Sequence, residues 1–382
     1  MFFTHHLVQG GAEKTVRTLS EYINAHFSDQ YTSYICVVYD DPEAHPQLSN
    51  VVVLPAKSQP SDSKAHKACN VLRQIREIHT LKKNLKIDVC ISFLPGADII
   101  NVLSGTGEKQ IVSVRTSESA FTHSVFKKIY VETSYRKCDR IIAVSEMVRN
   151  DCIQYFHVSP DKIISIPNSV TVPPAGPGID EKIRTFIGKR RLIITTGRLN
   201  PEKGIGHLIR AYASVRDRIP DTCLLILGDG PLKNSFQQLI QDLCMQDFIL
   251  LPGHRSNPQD YLQKADLFIL PSPREGMSNS LLEAMASGLP VISARNGSEE
   301  ILRGPEQISR DIRPDKLPEY AAYGVLVPAE DEESLADSIK ILMQSPSLRE
   351  KYARQSLLRA QAYDIRLIAA RWISEIETTL NG

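Results

Sequence analysis

Two series of short apolar segments, separated by a proline- and glycine-rich stretch, constrain the fold of this chain more than any other feature. The first series ends at Asn168 and consists of YTSYICVVYD, NVVVLP, IDVCISFL, QIVSVRT, DRIIAVS and IISIPNS. Such nearly continuous hydrophobicity is typical of parallel strands that are covered on both faces. Amphipathic helical patterns such as EKTVRTLSEYINAHF lie between the segments. This alternation predicts an α/β fold with a doubly wound parallel sheet.

The alternation stops once and then resumes. VTVPPAGPGIDEKI carries several prolines and glycines, which predicts an interdomain linker near residues 170–185. The second series consists of RLIITTGR, CLLILGDG, FILLPGH, LFILPSP, PVISAR and GVLVPAE. A length of 382 residues also exceeds what one core usually holds. We therefore predict two Rossmann-like domains facing a central cleft, residues 1–170 and 171–365, and a C-terminal helix over residues 366–382 that packs back on the first domain.

The composition narrows the environment and the partners. A formal net charge of +1 gives no overall attraction to nucleic acid, so no nucleic-acid partner is expected. The seven cysteines form no CxxC pair, which argues against a structural zinc site or a redox motif. Those in apolar stretches, such as Cys90 and Cys223, are expected to be core thiols in a reducing cytoplasm. The N-terminal MFFTHHLVQGG lacks the pattern of a secretory signal.

The segment PSPREGMSNSLLEAMASGLPVISA holds the strongest chemical signal. A predicted strand ends, Glu275 follows in a loop, and Glu283 lies one turn inside a helix that begins near Asn279. Free backbone N–H groups from Gly276 to Ser280 favour an anion at the helix start. Two carboxylates flanking an anion site suit a sugar nucleotide, which has a central diphosphate and hydroxyls at both ends. The alternative is that Glu275 is a loop charge and Glu283 a helix-face charge near the positive helix end.

The segment TGRLNPEKG predicts a cationic site at the end of another strand. Arg198 and Lys203 bracket an Asn-Pro turn, and Gly204 opens a helix. Two cations beside a helix N-terminus can clamp a diphosphate. The alternative is that both are surface charges that serve solubility and a salt bridge. GDGP, from Gly228 to Pro231, follows the next strand and is better interpreted as a structural turn.

A glycine pair stands near the N-terminus. Gln9, Gly10 and Gly11 follow a short strand and open a helix, so the backbone can approach a phosphate or a sugar closely. No GxGxxG fingerprint follows, which disfavours a nicotinamide cofactor.

Taken together, these motifs resemble the family-4 retaining glycosyltransferases of the GT-B fold. The resemblance rests on EGMSNSLLEAMA, GRLNPEKG, GDGPL and GGAE, with Val144-Ser145 and Pro167-Asn168-Ser169 as further matches. It extends over nearly the whole chain in the family's order. The resemblance implies a GT-B fold and a catalytic set without a metal, made of Arg198, Lys203 and Glu275.

The resemblance also implies the roles of individual donor-binding residues. Arg198 and Lys203 would hold the donor diphosphate, Glu283 the ribose hydroxyls and Glu275 the hexose hydroxyls. Five consecutive residues would offer backbone N–H groups to sugar and phosphate, namely Gly276, Met277, Ser278, Asn279 and Ser280.

Four further positions match donor-binding stretches of the family. Gly10 and Gly11 would lie against the diphosphate from the other domain. His254 and Arg255, after LLPG, would line the base.

One position departs from the family pattern. Where many relatives carry a histidine near the reacting carbon, the segment IVSVRT places Arg115. An arginine cannot act as a base, but it can orient a phosphate or a hydroxyl on the acceptor side. The alternative is a core-edge arginine that pairs with Glu118.

The activity that the resemblance implies is retaining transfer of a hexose or N-acetylhexosamine. The donor would be a nucleotide sugar, with UDP-sugars favoured, and the acceptor a glycan or lipid-linked molecule in bacterial polysaccharide or glycoconjugate synthesis. No DxD motif occurs, so a metal that chelates the diphosphate is not expected, and neither is a cofactor. The rivals are a sugar-nucleotide epimerase or hydrolase of the same fold and a non-catalytic subunit that binds a partner.

A basic helix is the one candidate for peripheral membrane contact. KAHKACNVLRQIREIHTLKKNLK, from Lys64 to Lys86, combines seven basic residues with a single acid and an apolar stripe at helical spacing. Such a helix can rest on anionic headgroups at the inner face of the membrane. The alternative, which we favour because it gives the stripe a use, is a surface helix whose apolar stripe packs on the sheet.

Overall fold

The computed structural model of the protein divides into two compact units. It describes residues 1–7, 10–39, 48, 50–55, 63–122, 124–171, 176, 178–304 and 317–382. Gln9 of the glycine segment and residues 172–175 and 177 of the predicted linker lie outside these ranges. The first unit comprises Met1–Ser169 and Ile365–Gly382, and the second comprises Val170–Asp364.

The first unit is built on a seven-stranded sheet in which every neighbouring pair is parallel. Its strands are β1 (Phe2–His6), β2 (Ile35–Tyr39), β3 (Val51–Val53), β4 (Val89–Phe93), β5 (Lys109–Val114), β6 (Arg140–Ala143) and β7 (Ile163–Ser165). The spatial order is β3-β2-β1-β4-β5-β6-β7. Because the order reverses between β1 and β4, the topological switch point, where such sheets bind ligands, lies between these two strands.

The helices of the first unit alternate with its strands. They are α1 (Gly11–His26), α2 (Lys64–Asn84), α3 (Pro95–Leu103), α4 (Val125–Lys137) and α5 (Glu146–Phe156). Several begin at side-chain caps, as at Ser145, whose Oγ accepts a hydrogen bond from the Val148 N–H at 3.2 Å.

The second unit repeats this strand order except at one edge of its sheet. Its strands are β8 (Arg191–Thr196), β9 (Thr222–Leu227), β10 (Ile249–Gly253), β11 (Leu267–Leu270), β12 (Val291–Ala294), β13 (Glu319–Tyr320) and β14 (Val325–Val327). The order is β10-β9-β8-β11-β12-β14-β13, so the switch point lies between β8 and β11. All pairs are parallel except β13 with β14. The antiparallel strand β13 was not predicted, since two residues carry no recognisable periodicity.

Eight helices in the described part of the second unit accompany its sheet. A further helix, which follows them in the chain, belongs to the first unit. They are α6 (Glu181–Ile187), α7 (Ile205–Val215), α8 (Lys233–Asp242), α9 (Pro258–Leu262), α10 (Asn279–Ala286), α11 (Glu299–Arg303), α12 (Glu332–Gln344) and α13 (Pro346–Gln361), followed by α14 (Ile365–Asn381) in the first unit. Trp372 of α14 is fully buried and stacks on Phe93 with ring centroids 6.1 Å apart.

Two predictions about the core have different outcomes. Cys90 and Cys223 are fully buried in strands, as their apolar surroundings indicate. On α2, however, the prediction that the apolar stripe packs inward is wrong in part, because Val71 is 39% and Leu72 59% exposed. The buried positions of α2 are instead Asn70, Gln74, Ile78 and Lys82.

None of the helices in the described ranges has the length and apolar character needed to cross a membrane.

Candidate functional site

Two predicted site residues meet at the switch point of the second sheet. Lys203 lies in the loop that follows β8, and Glu275 lies in the loop that follows the neighbouring strand β11. Lys203 Nζ is 2.5 Å from Glu275 Oε1. The side chains remain 29% and 13% exposed, respectively. A cation and a carboxylate therefore stand together, within reach of solvent, at the edge where open α/β sheets bind ligands.

Gly204 allows the two loops to approach each other. It ends a 3₁₀ turn at Pro201–Lys203 with a positive φ of 62° and stands directly before α7. A Cβ at this position would lie 2.3 Å from the carbonyl oxygen of Pro271, in the loop after β11. Only glycine fits both the backbone conformation and the contact.

The GDGP segment contacts the backbone of the loop that follows β8. A Cβ on Gly228 would lie 1.8 Å from the Gly197 carbonyl oxygen, so the two backbones touch. Leu199 N–H donates to Asp229 O at 2.9 Å, and Leu232 N–H donates to Leu199 O at 3.0 Å. GDGP is thus a structural turn, as interpreted from the sequence. Its contacts fix the loop that carries Arg198, whose side chain is exposed.

Asn296 holds the loop of Glu275 and was missed from the sequence. Its carbonyl oxygen accepts a hydrogen bond from the Glu275 N–H at 2.8 Å, and its Nδ2 donates to Ser272 O at 2.6 Å. The side chain is 7% exposed. The available signal was a polar Arg-Asn-Gly-Ser segment directly after a buried strand, where a turn is expected.

The start of α10 has the geometry of an anion-binding helix end. Ser278 caps the helix, with its Oγ accepting from the Leu281 N–H at 3.3 Å and lying 2.9 Å from Ser280 Oγ. Gly276 and Met277, which precede the cap, are buried. The aligned N–H groups of the first turn give this end a partial positive charge.

Glu283 lies in the second turn of α10 and is only 8% exposed. A carboxylate that is withdrawn from water needs compensating partners. Glu283 is therefore not a solvated charge on an open helix face. Glu283 therefore lies buried in the helix that follows the loop of Glu275, within the segment predicted to bind the donor.

His254 and Arg255 follow β10, at the edge of the second sheet. Arg255 Nη1 donates to Pro252 O at 3.1 Å and to His254 O at 2.9 Å, and its Nη2 is 3.5 Å from Asp180 Oδ2. Its guanidinium thus stabilises its own loop and the start of α6. His254 is exposed and lies near Asp229, whose pKa is lowered by the hydrogen bond from Lys233 and, to a lesser degree, by His254.

Gly10 and Gly11 stand at the start of α1 in the first unit. Gly10 is extended, with φ −144° and ψ 167°, and provides no side-chain cap. The carbonyl oxygen of Gly11 accepts a hydrogen bond from Thr15 Oγ1 at 3.0 Å. The first turn of a 16-residue helix therefore opens directly from a glycine pair.

Arg115 joins three segments at the carboxyl edge of the first sheet. Its Nη2 donates to Thr15 Oγ1 at 3.2 Å and to Asn168 Oδ1, and its guanidinium carbon lies 5.7 Å from the centre of the Phe93 ring. The alternative pairing with Glu118 is wrong, because Glu118 Oε2 lies 3.6 Å from Lys127 Nζ instead. Desolvation lowers the pKa of Arg115 to about 9, which leaves the guanidinium charged at neutral pH.

Comparisons with known proteins cover both units. Residues 179–358 match the family model described as Glycosyl transferases group 1, and residues 9–172 match the model described as Glycosyltransferase Family 4. A similar protein of Campylobacter jejuni is N-acetylgalactosamine-N,N'-diacetylbacillosaminyl-diphospho-undecaprenol 4-alpha-N-acetylgalactosaminyltransferase. It is 27% identical over 373 residues, which are 95% of this chain and 94% of the relative.

Two further comparisons show similarity of a different extent. One is a sequence similarity over about half of the chain, and the other is a similarity of the fold over nearly all of it. An Escherichia coli UDP-Gal:alpha-D-GlcNAc-diphosphoundecaprenol alpha-1,3-galactosyltransferase is 34% identical over 184 residues, covering 46% of this chain and 48% of the relative. The crystal structure of HepE from Anabaena, in complex with UDP and glucose, superposes with a TM-score of 0.80 over 99% of this chain and 98% of that one. At 18% identity this likeness shows a shared fold.

Proposed function

Because the chain belongs to the group 1 glycosyltransferases and has their GT-B fold, we propose that it transfers a hexose or N-acetylhexosamine from a UDP-sugar to a lipid-linked acceptor with retention of anomeric configuration. The observation that carries the proposal is the contact between Lys203 and Glu275 at the switch point of the second sheet. A sugar nucleotide offers a partner for each of them, a diphosphate for the ammonium and sugar hydroxyls for the carboxylate.

The leaving diphosphate is the group that most needs stabilisation in this reaction. One further negative charge develops on it, beside the two that it already carries, as its bond to the anomeric carbon breaks. Arg198 and Lys203 share one short loop, and the start of α10 adds the positive end of a helix. Fixed charges of this kind stabilise a transition state without reorganising, and losing one costs about 10²–10³-fold in rate. Protein cations would thus do the work that a metal does in other transferases.

The remaining donor contacts follow from the same arrangement. Glu283 would accept hydrogen bonds from the ribose hydroxyls, and Glu275 from the hexose. The acceptor hydroxyl would attack the anomeric carbon from the face that the diphosphate leaves. Its proton would pass to the departing diphosphate, so the step needs no protein base.

The lipid-linked acceptor is inferred from the relatives and from the surface of α2. The names of the Campylobacter and Escherichia coli relatives both specify a sugar diphosphate on undecaprenol. Leu72 and Val71 are exposed on α2, next to the exposed Arg73 and Arg76. Apolar and basic groups side by side suit the surface of an anionic bilayer. We therefore propose that the enzyme acts at the cytoplasmic face of a membrane, in glycoconjugate synthesis.

A single assay tests the proposal against its rivals. The protein is incubated with UDP-glucose, UDP-galactose, UDP-N-acetylglucosamine or UDP-N-acetylgalactosamine, with and without N-acetylglucosamine joined through a diphosphate to an undecyl chain. UDP release and the mass of the lipid product are followed, and NMR of the product gives the anomeric configuration. Acceptor-dependent release with an α-linked product is expected. An epimerised or hydrolysed donor without transfer would favour the rival enzymes, and no binding of any UDP-sugar by calorimetry would favour a non-catalytic subunit.

A further inference from the structure

His5, which has no role in the activity proposed above, lies at the switch point of the first sheet. His5 stands near the carboxyl end of β1, which pairs with β2 on one side and β4 on the other. Its ring packs against the first turn of α3, where a Cβ on Gly96 would come within 2.6 Å of His5 Cε1. Gly96 is therefore a glycine because the imidazole occupies the place of its side chain.

The turn that brings α3 to this histidine is strained. Leu94, which precedes α3, has a φ of 76°, a conformation that costs energy for any residue with a Cβ. Strained backbone that persists at the carboxyl edge of a sheet is a marker of functional sites. Here the strain sets the start of α3 directly beside His5.

The imidazole of His5 has hydrogen-bonding capacity to spare. Within the described part of the chain it makes no hydrogen bond and no ion pair, although it is half-buried. Burial, and secondarily the neighbouring His6, lower the pKa of His5 to about 4, so the ring is neutral at pH 7. A neutral imidazole offers one donor and one acceptor, and a hydroxyl offers the same two functions in complement.

We propose that His5 binds a hydroxyl group of the acceptor sugar and thereby positions it for attack. This inference rests on the proposed transferase activity. An uncharged ring favours a hydroxyl over a phosphate, which would call for a cation. The cations and carboxylates assigned to the donor belong to the second unit, whereas His5 lies at the ligand-binding edge of the first.

Kinetics of four variants test the proposal with the undecyl diphosphate acceptor described above. His5→Ala is expected to lower kcat/KM for the acceptor about tenfold, the cost of one hydrogen bond to a neutral group, with the KM for the UDP-sugar unchanged. His5→Gln keeps a donor and an acceptor and should recover part of the loss. Gly96→Ala should mimic His5→Ala, because the new methyl group displaces the ring.

The double variant His5→Ala/Gly96→Ala separates displacement of the ring from damage to α3. With the ring gone the methyl group has room, so the double variant should match His5→Ala alone. His6→Ala is the matched control, since His6 is exposed and stacks on Tyr39 at 4.7 Å between ring centroids. Equal acceptor kinetics in wild type and His5→Ala, or a change confined to the donor KM, would overturn the proposal.

A chemical footprint gives a readout that does not depend on turnover. Diethyl pyrocarbonate acylates neutral imidazoles, and fragment masses distinguish His5 from His6. The acceptor probe is expected to slow the modification of His5 and to leave His6 unaffected. A His5 rate that is identical with and without the probe overturns the proposal. Failure of the proposed function has another signature, namely no UDP release from any donor by the wild-type protein.

Discussion

Lys203 and Glu275 are 72 residues apart in the sequence, yet Nζ of one and Oε1 of the other are separated by 2.5 Å. Their loops leave the neighbouring strands β8 and β11, and the close approach at Gly204 holds those loops together. Each side chain stabilises the other in this contact. Under the proposed function, a donor with anionic and hydroxyl groups would replace the contact and bind to both side chains.

Removing either cation of the β8 loop should slow transfer with little effect on folding. Lys203→Ala and Arg198→Ala are each expected to lower kcat by about 10²–10³-fold, because each deletes a charge aimed at the leaving diphosphate. Steady-state UDP release measures the effect. Lys189→Ala, which removes an exposed lysine just before β8, is the control and should match wild type. Near-normal rates in both loop variants would contradict the assignment.

Glu283 should control donor affinity and not the chemical step alone. UDP is expected to raise the Tm of the wild-type protein in proportion to its affinity. Glu283→Ala should lose most of this rise, since the ribose would lose its carboxylate partner. Glu333→Ala, an exposed glutamate of α12, should retain the full rise. A UDP-dependent shift in Glu283→Ala equal to that of wild type would assign Glu283 a purely structural role.

Two glycines separated by one residue should respond oppositely to alanine. Gly204→Ala is expected to destabilise the protein by about 1–3 kcal/mol and to impair transfer, because φ is 62° and Pro271 O would lie 2.3 Å from the new Cβ. Gly206→Ala lies inside α7 with its nearest neighbours at 3.6 Å, and a helical alanine should stabilise by up to about 1 kcal/mol. Thermal unfolding of the two variants compares them directly. Equal Tm values would show that the loops can separate freely.

Features that depend on neighbouring residues could be predicted from the sequence, whereas contacts between residues distant in the chain could not. The strands could be predicted because continuous hydrophobicity is a local property, and their order of appearance already indicated doubly wound sheets. The partners of Arg115 could not, since Thr15 and Asn168 are 100 and 53 residues away in the chain. The support of Glu275 by Asn296 likewise depends on how neighbouring strands align. Motifs therefore predicted which residues bind the donor, whereas the contacts that position those residues required the fold.

The inward face of α2 also depends on a contact between residues that are distant in the chain, and this contact leads to a prediction about stability. Lys82 is buried there because its Nζ lies 2.6 Å from Glu108 Oε1 and donates to Asn101 Oδ1 at 2.8 Å. Lys82→Met should cost about 3–5 kcal/mol by removing the cation that pairs with the Glu108 carboxylate, which would keep only its hydrogen bonds from Thr106 and Gln110. The double variant Lys82→Met/Glu108→Leu should recover most of that loss, as measured by Tm. A double variant no more stable than Lys82→Met would contradict this account.

The pH dependence of this pair follows from the direction of the shift. Burial alone raises the pKa of Glu108, but hydrogen bonds from Lys82 and Thr106 outweigh it and lower the pKa from 4.5 to about 2. Because the folded pKa lies below the unfolded one, the stabilisation is complete above about pH 4.5 and is lost as the pH falls toward 2. The Tm advantage of wild type over Glu108→Gln should shrink across that window. An advantage independent of pH would exclude the ion pair as its source.

The exposed face of α2 should bind anionic membranes. Val71 and Leu72 are exposed beside Arg73 and Arg76, so this helix offers apolar side chains for insertion and cations for the headgroups. Vesicles of phosphatidylethanolamine with phosphatidylglycerol should carry the protein upward in a flotation gradient, and vesicles of phosphatidylcholine should carry less.

The double variant Val71→Asn/Leu72→Asn should lose most of this binding while keeping its Tm, because neither side chain belongs to the core. Leu358→Asn is the matched control. Leu358 is 58% exposed on α13, almost as much as Leu72 on α2, but it lies in the second unit. If apolar exposure alone drove binding, both variants would float less. A loss confined to the α2 variant, together with wild-type flotation that decreases as salt is added, would locate the membrane-binding surface where apolar and basic side chains coincide. Undiminished flotation of the α2 variant would exclude that helix.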